Sequence, residues 1–157
     1  MRFTDNGLDT VRAVYSVPDR YQGYPGVVHG GIVAAMLDET GGRTVMINNP
    51  NRFFMTARLD LRYRKPVPTS TELTLVGHIV HERGRVVKAR SEVHLPDGST
   101  AAEADLTLVE MPAGYLPQDD LAALGWRVYS SQEYDALVHE AEHRPDEGAM
   151  KDSLTDR

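Results

Sequence analysis

The 157-residue sequence contains no cysteine. Disulfides, cysteine-ligated metal centres and a thiol nucleophile are thereby excluded. No unbroken apolar run approaches the ~18 residues that a membrane-spanning helix needs, so no membrane partner is expected. The opening MRFTDNGLDT carries no basic patch followed by an apolar stretch. No export leader is expected from it, and a cytoplasmic address follows by default. No Walker or dinucleotide-type glycine pattern occurs, and no Gly-x-Ser-x-Gly elbow. Apolar residues make up 41% and charged residues 25%, ordinary values for a globular chain long enough to bury its own core.

Charge is present but unevenly placed. Of the net −6, all resides in residues 113–157, which hold ten acids against four bases, while residues 1–112 are balanced. The bases of the first part cluster at Arg52, Arg58, Arg62, Arg64 and Lys65, and at Arg83, Arg85, Lys88 and Arg90. An acidic protein with local basic patches fits a small anionic ligand better than a nucleic acid. Solvated strand faces are the competing reading of the same patches.

Periodicity predicts a strand at VRAVYSV (11–17), a loop through PDRYQGYPG (18–26), and a helix from 29 to about 46. Four strands follow, at 54–65, 71–82, 85–95 and 100–111, joined by short turns such as PDGS (96–99). Short turns make neighbouring strands antiparallel. In the strand at 54–65, alternation points Ala57, Leu59, Leu61 and Tyr63 one way and Arg58, Asp60, Arg62 and Arg64 the other. The helix is apolar nearly all round, which predicts burial on every side. The expected fold class is α+β, with a curled antiparallel sheet wrapped around one long central helix. Residues 1–112 form that domain. Residues 113–157 form an acidic extension, partly helical, with a flexible end.

Within the helix, the stretch HGGIVAAMLDE (29–39) carries the chemistry. Gly30 and Gly31 open it, where backbone N–H groups have no intrahelical partner and point out at the positive end of the helix dipole. A carbonyl oxygen gaining negative charge fits there. Asp38 lies eight residues past Gly30, roughly 12 Å along the axis. A carboxylate in an apolar helix must be paired, hydrogen-bonded or functional. One small carbonyl cannot touch both ends of that span. Two helices lying antiparallel bring the Gly30 of one copy to the Asp38 of the other, so a homodimer is expected, or a dimer of such dimers.

These residues resemble the signature of the hotdog-fold acyl-CoA thioesterases, in the PaaI-like branch: His-Gly-Gly, then an acid eight residues after the first glycine. GYPGVV before it and MTARLDLRYRKPVP after it are also similar to that branch, and the resemblance spans about residues 8 to 111. It implies hydrolysis of an acyl- or aryl-CoA thioester without a cofactor or metal. It further implies that the Gly30 N–H receives the thioester carbonyl, that Asp38 acts as base or nucleophile, that Thr56 holds the water or the aspartate, and that His29 orients the loop or the carbonyl. Where some relatives carry an asparagine six residues before the histidine, this chain has Gly23, beside Gln22. A non-catalytic acyl-CoA-binding protein on the same fold is the alternative.

For a CoA ester, Gly31, Arg62, Arg64, Lys65 and Arg85 are candidate substrate-binding residues, because arginine pairs well with phosphate. Met36, Met46, Met55, Phe53 and Phe54 are candidates for the acyl pocket or the core. His78 and His81, three apart on a strand, are expected on opposite faces, and His139 and His143 lack a third ligand, so no metal site is expected.

Overall fold

The structure, a computed structural model, describes residues 1–49, 51–112, 115, 129, 130, 132, 133, 136 and 139. The strands are β1 (Thr4–Asp5), β2 (Thr10–Ser16), β3 (Gln22–Tyr24), β4 (Val27–Val28), β5 (Phe54–Tyr63), β6 (Glu72–Arg83), β7 (Val86–His94), β8 (Thr100–Glu110) and β9 (Tyr129–Ser130). One helix, α1 (Gly30–Arg43), tightens into a 3-10 turn at Thr44–Met46. Seven strands form one sheet in the order β5-β8-β7-β6-β2-β1-β9, antiparallel except for β1 with β9, and β3 and β4 make a separate hairpin.

The helix lies across the concave face of this sheet. Alternation along each strand sends Leu73 and Leu75 of β6, Val87 and Val93 of β7, and Leu106 and Leu108 of β8 into the core, all nearly or fully buried. From α1 come Val33, Met36, Leu37, Thr40 and Gly41. Each large apolar side chain buried this way contributes about 1.5–3 kcal/mol. Two of the buried threonine hydroxyls are satisfied within the helical segment: Thr40 donates to the Met36 carbonyl at 2.6 Å, and Thr44 to the Gly41 carbonyl at 2.7 Å.

Helix and sheet backbones approach closely at Gly77 of β6. A Cβ there would lie 2.7 Å from the Thr40 carbonyl oxygen, a backbone atom that moves only if the helix moves. Gly77→Ala is therefore expected to cost about 1–3 kcal/mol, as overpacked cores do. A lowered midpoint in urea unfolding, with unchanged slope, checks it.

Several expectations change. The helix is buried along one stripe only: Gly31 and Ala35 are exposed, and Ile32, Ala34, Asp38 and Glu39 are half-buried. The main sheet covers one side, and β5 ends that sheet, so among the described residues the flank of α1 beside β5 stays open. In β5, Thr56 pairs with Leu108 and Arg58 with Thr107, leaving Ala57 as an extra residue in a bulge. Thr56 thus shares the inner face with Leu59, Leu61 and Tyr63, opposite Leu108, Leu106, Ala104 and Ala102 of β8, and Ala57 is exposed. A second bulge at Val80 sets His78 opposite Arg90 and His81 opposite Lys88. Arg90 and Lys88 are two apart, so both histidines fall on the same face, not on opposite ones.

Segment 18–26, read as loop, contains β3 and the turn to β4, with Gly26 at a φ of +75° that glycine accepts freely. Tyr129–Ser130, in the extension read as partly helical, pairs with β1 and extends the main sheet. The other expectations for 113–157 lie almost wholly outside the described residues. No helix among the described residues is long and apolar enough to cross a membrane.

Candidate active site

Two neighbourhoods matter, one at each end of α1. Near its C-terminal turns, Asp38 projects from the open flank toward β5, where Thr56 donates its hydroxyl to Asp38 Oδ1 at 2.7 Å. The bulge at Ala57 makes this contact possible, because without the extra residue Thr56 and Leu59 would face opposite ways. Asp38 Oδ2 has no hydrogen-bond partner among the described residues. A cavity of about 380 Å³ opens beside the pair, and Val45, Met46, Phe53 and Phe54 supply its apolar wall. Of the methionines read as pocket or core, Met36 is core and Met55 points outward, 56% exposed.

Two ion pairs rim this cavity. Arg43 pairs with Glu39 one turn earlier on α1, and Arg52 with Glu82 at 2.6 Å while its guanidinium sits 5.0 Å from the centroid of the Phe54 ring. Neither arginine was read as a site residue from the sequence. Their signal there was only membership of a basic cluster or a helix C-terminus.

At the other end, His29 caps the helix: its Nδ1 accepts the Gly31 N–H at 3.0 Å. That role requires the ring proton on Nε2. The His29 carbonyl accepts from Ile32 at 2.9 Å and from Val33 at 3.2 Å. Of the first-turn donors, the Gly30 N–H alone has no partner among the described residues. The Gly31 N–H, read as a substrate donor, is spent on the cap. Gln22, beside the glycine that stands in the asparagine position, uses its side-chain oxygen to accept the Gly26 N–H at 3.0 Å and so fixes the hairpin. Gly23 brings that hairpin against His29, where a Cβ would meet the His29 Cα at 3.2 Å.

The basic candidates do not converge. Arg62 lies on the face of β5 away from the helix and Arg64 just past its end; Arg64 donates to Glu103, and Arg62 and Arg90 approach the same carboxylate at 4.0 and 3.4 Å. Lys65 is exposed just after them, and Arg85, at the opposite end of the sheet, donates to the Glu110 carbonyl at 3.1 Å.

The hydrogen bond from Arg64, with the charges of Arg90 and Arg62, holds the Glu103 carboxyl below its ordinary value of 4.5, against the opposing effect of burial. A lowered native value means that this stabilisation is complete above about pH 4.5 and is lost as the pH falls through the native value. Glu103→Gln is expected to lower stability at neutral pH and to flatten the acid limb below about 4.5, read from melting temperature against pH.

Comparison with known proteins agrees with this architecture. Residues 25–102 match the thioesterase superfamily. Over 79 residues the chain is 30% identical to the acyl-coenzyme A thioesterase THEM4 of Rattus norvegicus, spanning 50% of this chain and only 33% of that protein. Among solved structures, a thioesterase superfamily protein named RHA08564 is 32% identical with a TM-score of 0.58, covering 64% of this chain and 48% of its own. The protein smu.793 of Streptococcus mutans, bound to acetyl CoA, has a TM-score of 0.63 at 21% identity, over 70% of this chain and 87% of its own. By the matched segment, the strand order around one helix and these structural neighbours, the chain belongs to the thioesterase superfamily and has the hotdog fold.

Proposed function

We propose that the protein hydrolyses the thioester of an acyl- or aryl-CoA to the free acid and CoA. The observation that carries this reading is the Thr56–Asp38 hydrogen bond at the wall of a partly apolar cavity. With Oδ1 held by Thr56, Oδ2 is left to accept a proton from water. The water oxygen bonds to the thioester carbon, its proton passes to Asp38, and charge develops on the carbonyl oxygen. The Gly30 N–H, at the positive end of the helix dipole, stabilises that charge. When the intermediate collapses, the carbon–sulfur bond breaks, and the departing thiolate takes up the proton held by Asp38.

Gly30 and Asp38 are eight residues apart on one straight helix, roughly 12 Å by helical rise. The reading therefore needs two copies. Among the described residues β5 is a ten-residue edge strand, and such edges are templates for pairing. Two β5 edges paired antiparallel about a two-fold axis would continue the sheet and lay the open flanks of two α1 helices antiparallel. The Asp38 end of one copy would then face the Gly30 end of the other.

The deciding experiment is steady-state hydrolysis of short, medium, long and aryl acyl-CoAs, following free thiol, with sedimentation at micromolar concentration. Turnover by a dimer supports the reading. Binding of acyl-CoA without turnover would replace it with that of a CoA-ester binder, and a monomer that turns over would remove the shared site.

A further inference from the structure

The peptide joining Gly30 to Gly31 is held at both ends. Its N–H, that of Gly31, donates to His29 Nδ1 at 3.0 Å. Its carbonyl, that of Gly30, accepts the Tyr63 hydroxyl at 2.7 Å, across from the last residue of β5. Tyr63 reaches the helix because the Ala57 bulge puts it on the inner face with Thr56. The same hydroxyl occupies the space over Gly30: a Cβ built there would meet it at 3.2 Å. One strand thus touches both ends of the helix, Thr56 at Asp38 and Tyr63 at Gly30.

We propose that Tyr63 is a positioning residue for the thioester carbonyl. By fixing the Gly30–Gly31 peptide it sets the first turn of α1 so that its one uncommitted donor, the Gly30 N–H, points out of the helix start at a constant angle. This rests on the thioesterase reading above. A preorganised donor stabilises a developing oxyanion more than a ground-state carbonyl, so loosening it affects turnover more than binding. It also gives Gly30 a second reason to lack a side chain: a methyl group there would push the hydroxyl away.

The test is Tyr63→Phe, which keeps the ring and removes the one hydrogen bond. For the best acyl-CoA of the panel, kcat is expected to fall about 5- to 20-fold, with KM within about twofold. In 15N-labelled protein the amide resonances of Gly30 and Gly31 should shift while those of β6 and β7 stay in place. Gly30→Ala, which displaces the same hydroxyl, should combine with Tyr63→Phe to give a smaller loss than the product of the single losses, since both act on one contact.

An unchanged kcat in Tyr63→Phe overturns the proposal. So does a kcat loss that merely follows a lower melting temperature with the two glycine amides unmoved. Should the wild type hydrolyse no acyl-CoA, the thioesterase reading falls, and the amide shifts alone decide whether Tyr63 holds the helix start.

Discussion

Asp38→Asn is expected to lower kcat for acyl-CoA hydrolysis by at least about two orders of magnitude, the usual loss when a general base is removed. The substitution is nearly isosteric, and an asparagine side-chain oxygen still accepts the hydrogen bond that Thr56 donates to Asp38 at 2.7 Å. The half-buried setting on the open flank of α1 means that no core packing is lost. Melting temperature and KM should therefore stay near wild type while turnover collapses. Wild-type activity in this variant would remove Asp38 from the mechanism and leave the Thr56 contact as a helix-to-strand tether.

Mixing two inactive variants should restore activity. Gly30→Pro removes the proposed oxyanion donor at a first helical position that tolerates proline, because that N–H has no intrahelical partner. Its ring crowds the Tyr63 hydroxyl, as any Cβ at Gly30 does. Asp38→Asn removes the base. If each site takes Gly30 from one copy and Asp38 from the other, a mixed dimer holds one intact site and one doubly defective site. Random reassortment of equal amounts then gives about a quarter of wild-type activity, from two parents that each show almost none. Co-expression with two tags, followed by sequential purification, isolates the mixed dimers, which by the same count should show about half of wild-type activity. Mixed dimers as inactive as the parents would place both groups within one chain, where the length of α1 keeps them apart, and would end the two-copy mechanism.

Much of the candidate site was legible because it lies on one continuous helix. The interval from Gly30 to Asp38 converts directly into distance and direction once the segment is helical, and the apolar pattern of Ile32 to Leu37 makes it so. His29 as a loop-orienting residue came through family resemblance, and its place as the cap of α1 emerged only in the structure. Thr56 was reachable only through family resemblance. Alternation along β5 put Ala57, not Thr56, in one set with Leu59, Leu61 and Tyr63, and the bulge that reverses this is set by pairing with β8. Tyr63 had only a faint signal, a hydroxyl at the end of an inward apolar stripe. The arginines were ambiguous because charge in a strand shows that a face is polar without showing what it faces. On Arg62, Arg64 and Arg90 that face holds Glu103.

The sequence by itself determined the single α+β layer arrangement, the order of the helix and its four long strands, and the separation of an N–H donor from a carboxylate along α1. Those follow from short-range periodicities and turn chemistry that each segment carries alone. Tertiary structure decided which face each β5 residue shows, which first-turn N–H remains free, and which side of α1 stays open. Each of these depends on strand register, on a cap or on the edge of a sheet. They are relations between segments far apart in the chain, which no local pattern encodes.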